Sequence, residues 1–322
     1  TAAPETDYLV LNTSAATADY NAMWGDTAPT DTHFTVGVAL ETNASPGTYI
    51  AYLFAHNDGD GTFGPDGDQD IIKCGSYTGN GSANGPEIDL GFEPQWLLTK
   101  RTNLASSWQL VDTMRGMSSE YYRLYPDQTA IEDYEGDGVI PTPTGFKLTG
   151  IQAQHNASAA TYVYMAIRRG SLAPPEAATE VFGMDEYTGN NVAGRLITSV
   201  STGVVDAAFI NSSAGGSRMA SRLTGVPYLT RNDLAAEINS NTRFEDFDDM
   251  NGFFVGSNSQ VNSSANTYLA AMFTRAPSFF DAVAYTGNST AGRTISHNLG
   301  VAPEMMWVKP RSASNPWQVY HS

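Results

Sequence analysis

The chain repeats itself, and the repeat constrains its fold more than any single motif. The stretches "SYTGNGSANG", "EYTGNNVAG" and "AYTGNSTAG" place Tyr77, Tyr187 and Tyr285 at equivalent positions. A second element recurs as "GTYIAYLFA", "ATYVYMAIRR" and "NTYLAAMFTR", making Tyr49, Tyr162 and Tyr268 equivalent. The lead-ins to it match as well: "FTVGVALETNASP", "GFKLTGIQAQHNASA" and "GFFVGSNSQVNSSA". A third element, "LGFEPQWLLTKRTNLASSWQLVDT", returns as "LGVAPEMMWVKPRSASNPWQVYHS", pairing Pro94 with Pro303, Lys100 with Lys309 and Trp108 with Trp317. The middle copy has no Trp here and carries Arg218 and Met219 near that place. Self-similarity of this length is the mark of a tandem architecture.

The order of elements gives two complete units, at residues 71–170 and 181–275. Residues 1–55 hold only the back half of a unit, and residues 282–322 only the front half. The halves are in phase. Trp108 and Leu124 are 16 residues apart, as Trp317 and Leu11 would be if Thr1 followed Ser322. Leu124 to Tyr162 and Leu11 to Tyr49 both span 38 residues. The chain therefore amounts to three units of about 107 residues. Either the array continues beyond it, or half-units of neighbouring copies complete one another; the longer array is the preferred expectation. On either view, the Trp317 strand is expected to pair with residues homologous to the first fifty of this chain.

Charged residues make up 16% of the chain, and Gly, Ser, Thr, Asn and Ala fill the difference, a mixture that favours short strands and turns. In the first complete unit the candidate strands are "GSYTG", "EIDLGF", "QWLLTKR", "WQLVDT", "EYYRLY", "GFKLTG" and "ATYVYMAIR". Seven strands in about a hundred residues predict an all-β, jelly-roll-like β-sandwich, too large for a propeller blade. Short helical turns are expected at "NTSAATADYNAMW" and "TRNDLAAEI". Between the units lie an acidic linker at 56–70 and a Pro-containing linker at 171–180.

The candidate chemistry is sparse. A net charge of −17 opposes binding to nucleic acid or anionic membrane surfaces, and no stretch approaches the length of a membrane span. The single cysteine, Cys74, reads as a small core residue. Asp58, Asp60, Asp66, Asp68 and Asp70 alternate with small residues as oxygen ligands of Ca²⁺ do, so Ca²⁺ is the one candidate cofactor. The EF-hand pattern fails, however, since Ile71 stands where its glycine belongs, and a solvated connector is the plainer reading. Trp108 and Trp317 are candidate carbohydrate-stacking residues, against the plainer reading that a tryptophan recurring in a repeat packs between sheets. The histidines lack ligand spacing, and no GxSxG, P-loop or dinucleotide fingerprint occurs. The acidic "FEDFDDM" (Glu245 to Asp249) is better read as a solvated turn than as a glycosidase pair. Asn43, Asn156 and Asn262 are sequons at one repeat position, marking a loop before the "TYxxY" strand.

Taken together, "GSYTGNGSANGPEIDLGFEPQWLLTKRTN", "AGRTISHNLGVAPEMMWVKP" and "GTYIAYLFAHNDGDG" resemble repeat modules of large tail or fibre proteins of marine and other environmental bacteriophages. The likeness covers nearly the whole chain and is weakest at 197–230. It implies an extended extracellular or virion-surface protein with a structural or host-attachment role and no catalytic residues. Its partners would be copies of itself or further repeats, and a glycan or protein receptor on a host surface. The alternatives are a self-assembling filament subunit and an enzyme acting on polysaccharide.

Overall fold

The computed structural model describes residues 5–55, 70–117, 121–136, 138–169, 175–199, 204–247 and 249–322. The N-terminal half-unit contains β1 (Asp7–Tyr8), β2 (Ala18–Asp19) and a single helical turn, α1 (Leu40–Asn43). The first complete unit runs through β3 (Ile72–Thr78), β4 (Asn84–Asp89), β5 (Pro94–Arg101), β6 (Gln109–Asp112) and β7 (Tyr121–Arg123). It continues with β8 (Asp133–Glu135), β9 (Val139–Thr142), β10 (Gly145–Thr149) and β11 (Thr161–Arg168). The second comprises β12 (Phe182–Thr188), β13 (Arg195–Thr198), β14 (Ala207–Ser212), β15 (Ser217–Ser221) and β16 (Leu229–Thr230). It ends with β17 (Phe244–Asp246), β18 (Gly252–Val255), the turn α2 (Ser259–Asn262) and β19 (Thr267–Phe273). A hairpin of β20 (Met305–Val308) and β21 (Gln318–His321) belongs to the C-terminal half-unit.

Each complete unit is a sandwich of antiparallel sheets. In the first, one sheet has the order β3-β11-β5-β6 and the other β4-β10-β9. In the second, the corresponding orders are β12-β19-β14-β15-β16 and β13-β18-β17. The "TYxxY" strand is thus central in each larger sheet, inserted between the "YTGN" strand and the Trp-bearing hairpin or its counterpart. Alternation decides which face it buries: Tyr162, Tyr164 and Ala166 point into the core, as do Tyr268, Ala270 and Met272.

The motifs have direct physical causes. Tyr77 stacks on Tyr162 with ring centroids 4.9 Å apart, and Tyr187 on Tyr268 at 5.2 Å. The glycine that follows in "YTGN" lies under the next loop. A Cβ at Gly79 would sit 2.4 Å from the Ala157 carbonyl oxygen, and one at Gly189 would sit 2.1 Å from that of Ser263. The glycine of "GF" is crowded in the same way, with a Cβ at Gly145 falling 1.9 Å from Ile88 O. The phenylalanines that follow it, Phe146 and Phe253, are fully buried.

The sequon asparagines are clamps. Asn156 is fully buried; its Oδ1 accepts from Asn80 N (2.9 Å), and its Nδ2 donates to Ser82 O (2.9 Å) and Gly150 O (2.7 Å). Asn262, equally buried, accepts from Asn190 N (2.9 Å) and donates to Val192 O (2.7 Å) and Gly256 O (3.0 Å). One side chain therefore ties the "YTGN" loop to the lead-in of the central strand in each unit.

All seven candidate strands of the first unit are present, joined by β8 and β9. The helical turns expected at "NTSAATADYNAMW" and "TRNDLAAEI" are not. The first stretch holds β2 and turns, and in the second Ile238 bridges to Tyr228. Their backbone groups bond partly within the unit, through β1 and Tyr228, and partly across the joints, through Ser14, Thr17 and Glu237, and this tertiary context overrides an Ala-rich local preference. The helical turns sit further along the repeat, at α1 and α2, immediately before the central strand.

Candidate functional site

The repeat's matched lysine and tryptophan meet at the joints between units. Lys100 lies near the end of β5, and its ammonium is held by three carbonyl oxygens: Ser106 (2.6 Å), Arg101 (3.2 Å) and, from the N-terminal half-unit, Ser14 (3.1 Å). Burial lowers its pKa, with Asp127 opposing the shift. The Trp108 indole donates to Val10 O at 3.0 Å. Two backbone bonds complete the joint, Thr17 N to Thr102 O (2.9 Å) and Ser106 N to Ser14 O (2.8 Å).

The same contacts recur between the second unit and the C-terminal half-unit. Trp317 donates to Thr230 O at 2.9 Å, Lys309 to Leu234 O at 2.9 Å and also to Asn315 O, and Glu237 N to Arg311 O at 2.8 Å. Thr230, Leu234 and Glu237 follow one another at the spacing of Val10, Ser14 and Thr17. Here the Arg311 guanidinium also forks onto the Glu237 carboxylate at 2.8 and 2.7 Å. Within its own half-unit the Trp317 strand pairs with β20 alone among the described residues. Its indole docks on a segment homologous to residues 10–17, by an indole bond and not by strand pairing.

The middle hairpin cannot dock in this way. Register places Ile210 opposite Arg218 as Thr99 stands opposite Gln109. That puts Asn211 and Ser217 where Lys100 and Trp108 would be.

The joint between the two complete units is ionic instead. Arg169 follows β11 as Arg275 follows β19, and the two cross in opposite directions. Arg169 reaches Asp206 at 2.8 Å, and Arg275 forks onto Glu93 at 2.8 and 2.9 Å. Arg275 also bonds Asp281 (2.5 Å), and its backbone N–H meets Asp206 at 2.7 Å. Glu93, Asp206 and Arg275 are all buried. Burial alone would lower the Arg275 pKa; Glu93 and Asp281 outweigh it and hold the pKa above its ordinary value. Beside this cluster Arg222, also buried, donates to Met114 O across the joint (3.2 Å) and to Asp249 O (2.9 Å). Gly116 packs against Gly225 so closely that a Cβ on it would lie 2.6 Å from the Gly225 Cα.

The residues singled out by sequence fall as follows. Trp108 and Trp317 are half-buried at joints, with their indole N–H groups bonded to the neighbouring unit. Asp58, Asp60, Asp66 and Asp68 lie outside the described residues. The Asp70 carbonyl accepts from Arg168 at 3.4 Å, and among the described residues no group of three His, Cys, Asp or Glu could hold a metal ion. In "FEDFDDM", Glu245 accepts from Gly194 N (2.5 Å) and Asp249 from Asn251 N (2.7 Å), so both carboxylates fasten loops. Cys74 is half-buried, and burial raises its pKa.

A family model described as a domain of unknown function, DUF7483, matches residues 1–169 and 180–322. The chain belongs to the DUF7483 family. The interval between the two matches coincides with the Pro-containing linker, so each DUF7483 segment joins one complete unit to the half-unit docked on it by Trp and Lys. No curated protein and no solved structure matches the chain.

Proposed function

We propose that this chain is a non-enzymatic stretch of an extended fibre, extracellular or on a virion surface, whose sandwich units serve as a spacer or in host attachment. The observation that carries the reading is the repeated joint. Trp108 with Lys100, and Trp317 with Lys309, grip the neighbouring unit through equivalent backbone carbonyls. A joint that recurs is what a chain needs in order to extend by adding units, since each repeat contacts only its neighbours. The carbonyl acceptors make it tolerant of sequence drift on the accepting side. The acidic surface implied by the net charge of −17 suits a protein that must not adhere to anionic polymers nonselectively.

Negative-stain microscopy of two copies fused end to end tests this directly. The fusion is expected to give rods twice the length of the single chain, without release of reducing ends from bacterial surface polysaccharides. A compact particle of unchanged length, or catalytic turnover, would overturn the reading.

A further inference from the structure

The first complete unit has its own version of the segment that a Trp-bearing hairpin grips, and strand pairing locates it. Arg123 stands opposite Asp133 in β7 and β8, as Tyr228 stands opposite Ile238 and Tyr8 opposite Ala18. Counting on from these pairs, Tyr125, Thr129 and Glu132 take the places of Thr230, Leu234 and Glu237, which receive the C-terminal hairpin. They equally take the places of Val10, Ser14 and Thr17, which receive the hairpin of the first unit.

The hairpin due to cover this segment is β14 with β15, and it carries Asn211 and Ser217 in place of Lys and Trp. Those two side chains bond each other at 3.0 Å, and Asn211 accepts from Arg231 at 2.7 Å, all within the second unit. Lys100, Trp108, Lys309 and Trp317 are engaged at the other joints. Where unit two holds a hairpin, unit one therefore has an open cleft of about 530 Å³. It runs along residues 125–133, walled on the far side by Arg101, residues 105–107, Ala153 and Gln154. Small-molecule sites span roughly 300–1,000 Å³.

Bonds across and behind the walls fix their shape. The Tyr125 hydroxyl donates to Asp133 at 2.8 Å, and Arg123 bonds the same carboxylate at 3.1 Å with its guanidinium carbon 5.1 Å from the centre of the Tyr125 ring. Arg101 donates to Asn103 (2.9 Å) and to Ala153 O (3.3 Å), and Gln128 donates to Ser107. A site held in this way loses little freedom when a ligand enters.

The lining selects by charge and by hydrogen bonding. Arg101 is its one cation, against Glu132 and Asp133, so an anion meets net negative charge. Each carboxylate already faces a guanidinium, Glu132 that of Arg115 at 3.3 Å and Asp133 that of Arg123, which leaves little for a cation. What remains is the Tyr125 ring beside groups that both donate and accept: the Ser106 and Ser107 hydroxyls and the Gln128 and Gln154 amides. An uncharged ring with an apolar face and many hydroxyls fits that set.

We infer that this cleft binds an uncharged mono- or disaccharide, stacked on Tyr125 and hydrogen-bonded by Gln128, Gln154 and the loop at Ser106 and Ser107. The tryptophans expected to stack on sugars hold joints instead, and the stacking residue is a tyrosine of the one grip segment left uncovered. The inference deepens the host-attachment side of the fibre reading and rests on it for the source of the saccharide.

Saturation-transfer NMR on the full chain tests it, with maltose, cellobiose, lactose and N,N′-diacetylchitobiose as probes. At least one should bind with a Kd of about 1 mM or tighter. Tyr125→Ala should weaken that binding about tenfold. Because this change also removes a bond to Asp133, Ala130→Trp gives a second arm. Ala130 is exposed on the cleft wall, so the indole should fill the cleft and abolish binding at an unchanged urea midpoint. Digalacturonate, an acidic probe, should not compete. Absence of binding by all four probes at about 10 mM overturns the inference, as does binding that survives Ala130→Trp or is displaced by digalacturonate. Self-association of the chain that Ala130→Trp abolishes also overturns it, since a hairpin of another copy would then fill the cleft. None of these results touches the fibre reading, which depends on the rods of doubled length.

Discussion

At the scale of single residues, the repeated asparagine sets the sharpest contrast. Asn156 answers three backbone groups inside the first complete unit, and replacing it leaves buried donors and acceptors without partners. Asn156→Ala should therefore destabilise the chain by about 3 kcal/mol, read as a lower urea midpoint at unchanged slope. Asn43, exposed and bonded through its side chain to Gly37 alone among the described groups, should cost less than about 1 kcal/mol on the same substitution. The sequence reveals the shared position but presents it as a sequon, a surface signal. What it hides is that a side chain with both a donor and an acceptor fits between two loops. A position recurring in every copy six residues before the first tyrosine of the central strand is the signal that could have exposed it.

At the scale of elements, the Trp-bearing hairpin is the docking device. Removing Trp108 takes away the donor to Val10 O. Trp108→Ala should speed hydrogen exchange at the Thr17 and Ser106 amides by about tenfold or more, leaving the β3 and β11 amides unchanged. Trp108→Phe, which keeps an aromatic ring but no donor, should fall between the two. If exchange accelerates equally throughout the unit, the tryptophan is a core residue and not a docking one. The all-β class, the strands and the periodicity of this hairpin are legible in the sequence because they depend on side-chain alternation and turn residues. The docking is not. Its acceptors are the carbonyls of Val10, Ser14, Thr230 and Leu234, and a carbonyl has no sequence signature. The same cause bears on the misplaced helical turns, since backbone groups of Ser14, Thr17 and Glu237 in those segments bond across the joints to backbone partners.

At the scale of the whole molecule, the question is what couples the two complete units. The carboxylates responsible lie outside the repeat: Glu93 corresponds to Ala302 in "LGVAPE", and the matching of copies passes over it. Arg169 and Arg275 are equivalent in their units, and the pair closes only because unlike carboxylates stand opposite them. Because Arg275, Glu93 and Asp281 are buried, removing the guanidinium leaves carboxylates without solvent or full compensation. Arg169 is 3.8 Å from Glu93 and already engaged by Asp206. Arg275→Met should then cost about 3–5 kcal/mol. The loss falls on the joint more than on either sandwich core, so calorimetry should resolve one transition into two. Glu93→Gln, which keeps the hydrogen-bonding shape and leaves Arg275 paired with Asp281, should cost less and preserve a single transition. Raising the salt concentration to about 1 M should move the wild-type transition little, because a buried ion cluster is poorly screened. A single transition in Arg275→Met would mean that the two units are coupled by the apolar contact around Gly116 and Gly225 and not by charge, whereas a large loss of stability in salt would mean that solvent-exposed charges and not the buried cluster carry the coupling.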